Sequence, residues 1–333
     1  MSLQVIYVTR HGFRSAWSVD HVTGTYSSYL RSPTGVPTDP ALTSHGVEQA
    51  DDLAEHLLAV DPPIDCVYSS PYYRCLQTIS PFVSRHKALK ANPSSGESLD
   101  GPGSHIRIRV ESGLGEWHGR AHFEHPTAAP LSELSGLFAD LDASYVSSPA
   151  PRRHGESIPQ LYERVASCMR AIIARCDREG KKAVLVCTHA AVVIALGRIL
   201  TGNTPEDPST DDFGAFTCGL SVYHRQKPSE NVAGSEQGFA EKRRDIPDGT
   251  RPSADDGPMQ TRDLGVSSQW TCVANSDCSF LRSGEERGWR FSGDESFVET
   301  DGGVLQPSLM APIPGPAHEK KRNALDGTGT SKL

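Results

Sequence analysis

The run Leu3-Gln-Val-Ile-Tyr-Val-Thr9 is followed at once by Arg10-His11-Gly12. Its β-branched and aromatic residues predict a strand, and the polar tripeptide after it predicts a functional loop. Parallel α/β sheets bind their ligands at the carboxyl ends of their strands. Arg10 and His11 are therefore candidate site residues, although an isolated Arg-His-Gly is a weak signal by itself.

Strands and helices continue to alternate to about residue 225. The predicted strands cover 64–69, 106–110, 183–188 and 213–224. One predicted helix begins near Thr43 or Ser44, and three more cover 72–86, 158–176 and 190–200. The segment 183–188 is continuously apolar, as expected of a parallel strand that is covered on both faces. Pro81 marks a possible break in the second helix. The alternation predicts a three-layer α/β/α sandwich with a mostly parallel sheet.

Composition divides the chain into four predicted parts. Residues 1–225 form the α/β domain, and the polar segment 226–268, interrupted by Gly and Pro, is predicted to be a disordered linker. Aromatic and β-branched residues return in 269–306, which predicts a small β-hairpin element, and 307–333 is a predicted flexible tail. Because the hairpin is too small to fold alone, we expect it to dock on the main domain or to complete a partner's sheet.

Charge and cysteine content exclude several classes of protein. The 333 residues include 33 Lys and Arg against 41 Asp and Glu, a net charge of −8, which argues against direct binding of nucleic acid. The longest apolar run, 190–200, is shorter than the ~20 residues of a spanning helix, and residues 1–7 lack a signal-peptide layout, so we expect an intracellular protein. Eight cysteines without a Cys-x-x-Cys pair favour reduced thiols over a zinc site.

Two further strand ends carry side chains suited to phosphate chemistry. Ser69-Ser70-Pro71 leads to Arg74, and Thr188 leads to His189. Guanidinium groups bind phosphoryl oxygens in bidentate fashion, and a neutral imidazole can attack phosphorus to form a covalent intermediate. Two arginines and two histidines at three strand ends therefore favour a phosphate monoester as substrate.

The leaving oxygen needs a proton, which a carboxyl group near the pocket can supply. Two glutamates compete for this role. Glu111 ends the strand 106–110, and Glu116 follows in Gly113-Leu-Gly-Glu-Trp-His-Gly119. Glu116 could instead hold the loop or a phosphate-binding arginine.

The order and spacing of these motifs resemble the histidine phosphatase superfamily, in its phosphoglycerate-mutase-like branch, from Val5 to about Tyr223. The resemblance is carried by Arg10-His11-Gly12, Leu42-Thr43-Ser-His-Gly46-Val-Glu-Gln49-Ala50, Ser69-Ser70-Pro71 with Arg74 and Gln77-Thr78, Gly113-Leu-Gly-Glu-Trp117 with Gly119, Gly155-Glu156-Ser157 with Arg164-Val165, and Thr188-His189. It implies a phosphorylated nucleophile at His11 and a phosphate pocket completed by Arg10, Arg74 and His189, with no cofactor and no metal.

The resemblance also bears on the acid and on the reaction. Aligning Gly115-Glu-Trp-His-Gly119 with the family's Gly-acidic-Trp-Glu-Gly places Glu111 at the acid/base position, so Glu111 is preferred and Glu116 is the alternative. The family's mutases carry a longer insert that closes over a bisphosphate, and nothing between Arg74 and Glu111 looks suited to that role. Hydrolysis of a phosphomonoester is therefore the favoured reaction.

Arg10-His-Gly-Phe-Arg14 resembles the Arg-His-Gly-x-Arg form of Sts-type protein tyrosine phosphatases. This resemblance implies that Arg14 joins the phosphate pocket and that phosphotyrosine-like groups, or small aryl or alkyl phosphates, are substrates. The bland alternative for Arg14 is a solvated loop cation.

A second resemblance includes the C-terminal part of the chain. Its residues are Arg10-His-Gly-Phe-Arg-Ser-Ala-Trp17, Trp270, Phe280-Leu281, Glu285-Glu-Arg287 and Trp289-Arg-Phe291. They are similar to fungal TFIIIC subunits that join a histidine phosphatase domain to a β-rich partner-binding tail. The resemblance implies an assembly role in RNA polymerase III transcription, with Trp270 and Trp289 as interface anchors. The alternative is that both tryptophans pack the hairpin onto the phosphatase domain.

Targeting signals in the sequence disagree. Ser331-Lys332-Leu333 is the tripeptide read by the peroxisomal import receptor. Lys242-Arg-Arg244 and Lys320-Lys-Arg322 are weak candidates for nuclear signals. We therefore expect a nuclear, cytoplasmic or peroxisomal location.

Overall fold

A computed structural model describes residues 2–91, 105–226 and 269–292. The strands are β1 (Val5–Arg10), β2 (Trp17–Val19), β3 (Tyr26–Ser28), β4 (Cys66–Ser69), β5 (Ile108–Val110), β6 (Ala183–Thr188), β7 (Leu220–Arg225) and β8 (Trp270–Asp277). The helices are α1 (Ser44–Leu58), α2 (Tyr73–Ala91), α3 (Leu131–Leu137), α4 (Ile158–Arg178) and α5 (Ala190–Thr201).

Within the described residues, six strands form one sheet in the order β5-β4-β6-β1-β7-β8. The first four strands run parallel to one another, β7 is antiparallel to β1, and β8 is antiparallel to β7. The carboxyl ends of β4, β6 and β1 therefore meet at one edge. The short β2–β3 hairpin forms a separate two-stranded sheet.

Helices cover both faces of the sheet, which confirms the predicted α/β sandwich. Ile6 and Val8 of β1 pack in one core with α4 and α5, whereas Val5 and Tyr7 pack in the other core with α1 and α2. This alternation follows from the pleat of the strand, which points successive side chains to opposite faces. The central strand β6 is buried along its whole length, as its apolar sequence predicts.

Helix boundaries agree with the sequence signals except at Pro81. Thr43 caps α1 by accepting a hydrogen bond from the backbone N–H of Gly46. Pro81 lies inside an α2 that continues to Ala91, so the expected break does not occur there. The side chain of Ser80 bonds the carbonyl of Leu76 at 2.7 Å in the same turn. The last predicted strand is also shorter than expected, because residues 213–219 precede β7 without strand pairing.

Within residues 269–292, the part of the C-terminal segment that the structure describes, no separate hairpin forms. The segment contributes the single strand β8 to the chain's own sheet, and Gln226 N bonds Gln269 O at 2.8 Å where the chain leaves β7 and returns. Trp270 is 1% exposed and belongs to the core of the domain, which contradicts its expected role as an interface anchor. Trp289 packs on Trp117 with ring centroids 6.4 Å apart. Both tryptophans thus pack their large aromatic side chains against the domain, which is the alternative to a role as interface anchors.

The other predictions for the C-terminal half lie outside the described residues. They are the linker over 227–268, the end of the β-rich element over 293–306, the tail 307–333, the two basic runs and Ser331-Lys332-Leu333. Across the part of the chain that the structure describes, no helix combines the length and the apolar character needed to cross a membrane.

Candidate active site

The loop of residues 10–14, here called the RHG loop, leaves the end of β1 and is fixed by its neighbours. His11 N bonds Thr188 O at 3.0 Å, Gly12 N bonds the Thr78 hydroxyl at 3.0 Å, and Phe13 N bonds Gln49 Oε1 at 2.9 Å. Position 12 requires glycine, because an added Cβ would lie 2.8 Å from the Gly46 carbonyl oxygen. The motif residues of α1 and α2 thus serve to hold this loop.

His11 is buried at the centre of the site. Its Nδ1 lies 2.8 Å from the carbonyl oxygen of Gly12. In this arrangement the Nδ1–H group donates to the carbonyl, and the lone pair of the neutral ring is on Nε2. Burial, followed by the charges of Arg74 and Arg10, lowers the pKa of His11 well below 6.5. The ring is therefore neutral at physiological pH, which a nucleophile requires.

Arg74 enters the site from the first turn of α2 and is fully buried. Its Nη1 donates to the carbonyl of Thr38 at 2.8 Å and to Asp39 Oδ1 at 3.2 Å, and its Nη2 donates to Glu116 Oε2 at 2.9 Å. Asp39 also accepts from Tyr73 N at 2.7 Å, so one carboxylate fixes both the start of α2 and the guanidinium. Arg74 is thereby oriented before any ligand arrives.

Arg10 and Arg14 supply two more guanidinium groups. Arg10 Nη1 donates to the carbonyls of Ala215, at 2.6 Å, and Arg287, at 2.5 Å, and Arg14 Nη1 donates to Ser15 O at 2.9 Å. Burial lowers the pKa of Arg10 to about 10 and that of Arg14 to about 9, so both remain cationic at neutral pH.

The Nε atoms of Arg10, Arg14 and Arg74 are buried and have no hydrogen-bond partner among the described residues. All three guanidinium groups lie close enough to His11 to lower its pKa. Buried donors without partners are costly in a folded protein unless a ligand uses them. The arrangement is a prepared site for an anion beside the imidazole.

His189 caps α5 at the end of β6 and faces His11, with ring centroids 5.4 Å apart. Its Nε2 lies 2.7 Å from Ser70 Oγ, and its Nδ1 lies 3.2 Å from Glu116 Oε2. Burial alone would lower the pKa of His189, but the Cys75 and Glu116 side chains offset this effect and raise it. The protonated form of His189 is thus favoured, and its charge adds to that of the guanidinium groups around His11.

Glu116, and not Glu111, is the carboxylate that joins this cluster. Ligand atoms of His11, Glu116 and His189 all lie within 4.8 Å of one another. Burial opposes ionisation of Glu116, but His189 and Arg74 outweigh it and hold its pKa well below the usual range.

Glu111, which the family resemblance favours as the acid, makes a different set of contacts. Its Oε1 accepts from Gly113 N at 2.8 Å and Ser148 N at 3.0 Å, and Oε2 accepts from the Tyr145 hydroxyl. These bonds close the 3-10 turn that Glu111 caps and tie it to the loop at 145–148. That turn redirects the chain after β5, so that the glutamate five residues later faces the histidines.

A second ion pair sets the loop that carries Glu116. Arg164 of α4 forms a bidentate pair with Glu156 and donates from Nη1 to the carbonyls of Gly113 and Gly115, at 2.8 and 3.1 Å. The Trp117 indole N–H donates to the carbonyl of Glu156 at 2.8 Å. Glu156, Arg164 and Trp117, which lie apart in the sequence, thus support one loop.

Sequence reasoning missed Asp39 and Ser70 as parts of the site. Asp39 lies in the loop Pro37-Thr38-Asp39-Pro40 just before α1, where a polar pair between prolines could have indicated a fixed turn. Ser70 belongs to the Ser69-Ser70-Pro71 motif, but its contact with His189 depends on the parallel pairing of β4 with β6. Neither contact has a signature in local sequence.

A cavity of about 250 Å³ adjoins Glu116 and His118. Its walls are mainly apolar, with Pro71, Tyr72, Ala129 and Leu131 among the lining residues. His118 and His125 also line it: their rings stack with centroids 4.7 Å apart, and Tyr26 of the β2–β3 hairpin bonds His125 Nδ1 at 2.5 Å. This cavity offers room for an organic group next to the candidate acid.

The distances within the His11, Glu116 and His189 cluster would also suit a metal ion. The three neighbouring guanidinium groups oppose that occupant, because they make the local field positive. The donor set therefore fits an anion better than a cation.

Comparison with known families gives a match over residues 6–234 to the histidine phosphatase superfamily, branch 1. The chain belongs to that superfamily. The match begins within β1 and includes the RHG loop, Arg74, Glu116 and His189.

Relatives of this chain have names that point to different roles. It is 29% identical over 299 residues, 87% of this chain and 59% of the relative, to the transcription factor tau 55 kDa subunit of Saccharomyces cerevisiae. It is 30% identical to the ecdysteroid-phosphate phosphatase of Drosophila melanogaster over 60% of this chain and 27% of the relative. It is also 30% identical to the ubiquitin-associated and SH3 domain-containing protein B of Mus musculus, over 61% of this chain and 33% of the relative. The chain spans less than two thirds of the length of each.

Among solved structures, the ecdysone phosphate phosphatase of Bombyx mori in complex with tungstate aligns over 72% of this chain and 98% of its own. The TM-score is 0.48 and the sequence identity is 20%.

Proposed function

We propose that this histidine phosphatase hydrolyses phosphomonoesters through a phosphohistidine at His11, without a metal. The observation that carries the proposal is the set of three buried, unpartnered Nε atoms around a neutral His11. Three guanidinium groups and a protonated His189 supply the charge stabilisation that a transferring phosphoryl group needs. Phosphotyrosine-like groups and small aryl or alkyl phosphates are the proposed substrates, since the cavity beside Glu116 is mainly apolar.

The first chemical step forms a bond from His11 Nε2 to phosphorus while the ester P–O bond breaks. The leaving oxygen takes a proton from Glu116, which acts as general acid. Bound phosphate raises the pKa of Glu116, because its negative charge opposes the influence of Arg74 and His189. A substrate monoanion can thus bring the proton that Glu116 then delivers.

The second step returns the enzyme to its starting state. Water attacks phosphorus and gives a proton to the Glu116 carboxylate, the P–N bond breaks, and its electron pair stays on His11. Inorganic phosphate takes the proton back from Glu116 as it leaves and departs as the monoanion, so that Glu116 is again a carboxylate. Each step is easier than direct hydrolysis, which is the benefit of a covalent intermediate.

The test is steady-state hydrolysis of a chromogenic aryl phosphate, in a chelator, from acidic to neutral pH. His11→Ala is compared with wild type and with His224→Ala, a matched control at an exposed position of β7. We expect turnover to be lost in His11→Ala alone and a phosphoenzyme mapped to His11 by mass spectrometry. Well-folded wild type without turnover at any pH would overturn the proposal.

A second candidate function is assembly in a TFIIIC-like transcription factor, which would place the protein in the nucleus. The observation that favours it is the extent of similarity to the yeast tau 55 kDa subunit, which covers 87% of this chain against 60–61% for the other two relatives above. The contact with DNA would then come from other subunits.

The assembly role is tested with a tagged full chain in its own cells. Recovered proteins are searched for the other subunits of the transcription factor, with a variant lacking 293–333 and His11→Ala in parallel. Truncation from residue 268 is unsuitable, because it would remove β8 from the core sheet. Recovery of those subunits by wild type and His11→Ala would support the assembly role, and recovery of none would contradict it.

A further inference from the structure

Residues 278–292, here called the C-terminal strap, follow β8 and cross α1 toward the RHG loop. Phe280 stacks on His56 of α1 with ring centroids 4.2 Å apart. Arg282 then contacts Asp52 twice, through its backbone N at 3.1 Å and its guanidinium at 2.8 Å. The strap is therefore attached to the helix that buttresses the site.

Glu286 is the point at which the strap reaches the motif residues of α1. Its Oε2 lies 2.5 Å from His45 Nε2 and accepts from Gln49 Nε2 at 2.9 Å. The same Gln49 accepts from Phe13 N through its Oε1. One amide side chain thus joins the carboxylate of the strap to the backbone of the RHG loop.

The backbone of the strap is fixed at the same place. The carbonyl of Glu286 accepts from Thr217 N at 3.1 Å. The next residue, Arg287, has φ of +52°, a left-handed conformation that is uncommon for a side chain of this kind. Its carbonyl accepts from Arg10 Nη1 at 2.5 Å, and its own guanidinium lies 4.6 Å from the centre of the Phe13 ring.

Two carbonyls therefore orient Arg10, one from Ala215 and one from Arg287. Both accept from the same nitrogen, Nη1, and Arg10 Nε is left without a partner beside His11. Rotation of residue 287 would remove one of the two acceptors and release the guanidinium from this orientation. The family match ends at residue 234, so the Arg287 carbonyl lies outside the matched residues.

We propose that Glu286 is a positioning residue for phosphate binding, acting through the Arg287 carbonyl on Arg10 and through Gln49 on the RHG loop. The inference rests on the proposed function, because it takes phosphate to be the ligand of Arg10. It makes the C-terminal strap a part of the phosphate site and not an appendage of the domain.

The test uses the full chain and inorganic phosphate as the probe. The dissociation constant is measured by calorimetry for wild type, Glu286→Ala, Glu286→Gln and Glu285→Ala, whose side chain is the exposed neighbour. The kcat and KM for an aryl phosphate are measured beside it. We expect Glu286→Ala to weaken phosphate binding and raise KM by about tenfold, because Gln49 loses the hydrogen-bond acceptor that holds its side chain. Glu286→Gln should recover most of the affinity, because its amide oxygen can still accept from Gln49, and Glu285→Ala should match wild type.

The outcomes separate the inference from the proposed function. Glu286→Ala with a lower melting temperature but unchanged phosphate affinity and KM would overturn the inference and leave the phosphatase proposal intact. Wild type that binds phosphate without hydrolysing esters would overturn the function, and the phosphate constants would still decide the role of Glu286. Wild type that binds no phosphate would overturn both.

Discussion

The Glu116 carboxylate lies 3.2 Å from Nδ1 of His189. This contact links two loops that follow different strands, and it leaves both side chains next to His11. Each partner favours the charged form of the other, since the pKa of Glu116 is lowered and that of His189 is raised. The pair therefore holds a proton and a negative charge beside His11.

Glu116→Gln should lower kcat for an aryl phosphate by about 10²–10⁴-fold, because an amide can neither donate nor accept the proton of the reaction. Its fold should persist, since Gln can still accept from Arg74. The comparison is Glu111→Gln, which alters the turn that supports the loop and should mainly reduce the free energy of unfolding, by about 1–3 kcal/mol. If Glu111→Gln loses turnover with unchanged stability and Glu116→Gln keeps it, the roles are reversed.

Stability should fall as pH decreases below about 6.5, with His118 as one cause. Burial is the largest influence on this ring and, against the opposing charge of Glu116, lowers its pKa to about 3. Between pH 6.5, the ordinary pKa of histidine, and pH of about 3, the unfolded chain binds a proton at His118 that the folded chain does not bind. This difference favours unfolding. Urea unfolding at neutral pH and near pH 5 should show a smaller loss of stability for His118→Gln than for wild type. Equal losses would show that His118 titrates normally in the folded protein.

Trp270→Ala should destabilise the domain by about 3–5 kcal/mol, the range for loss of a large buried aromatic. Its side chain is 1% exposed, whereas Val273 on the same strand is 54% exposed. Val273→Ala is therefore the matched control and should change the free energy of unfolding little. A Trp270→Ala variant as stable as wild type in urea would mean that β8 does not contribute to the core.

Replacing 227–268 with an Asn-Gly turn should give a folded protein that retains phosphate binding. The residues on either side, Gln226 and Gln269, are already joined by a 2.8 Å hydrogen bond, and Arg225 pairs with Trp270. A two-residue turn of this type suits an antiparallel pair. Thermal unfolding and phosphate calorimetry would measure the result. A chain ending at residue 234 is the contrast, because it lacks β8 and should be unstable.

The part of the site carried by strand ends could be predicted from sequence. Arg10, His11 and His189 follow apolar strands directly, and parallel strands bring their carboxyl ends together, so their convergence needed no further information. The α/β sandwich followed from the same alternation of strands and helices.

The rest depended on geometry that the sequence does not display. The placement of Glu111 and Glu116 depends on one 3-10 turn: the Glu111 side chain closes this turn itself, and Glu116 lies beyond it next to the histidines. The Arg287 contact with Arg10 uses a backbone carbonyl, which every residue has, so no residue type could indicate it. The placement of β8 required knowledge of how the chain returns after 227–268.

The bond between Arg10 and the Arg287 carbonyl joins residues 277 positions apart. A ribosome adds roughly 5–20 residues each second, so tens of seconds separate the synthesis of the first from that of the second. During that interval the nascent chain can form β1, α1 and the RHG loop, but Arg10 lacks one of its two carbonyl acceptors. Full affinity for phosphate would therefore be reached only after residue 287 has been synthesised and has folded against Arg10.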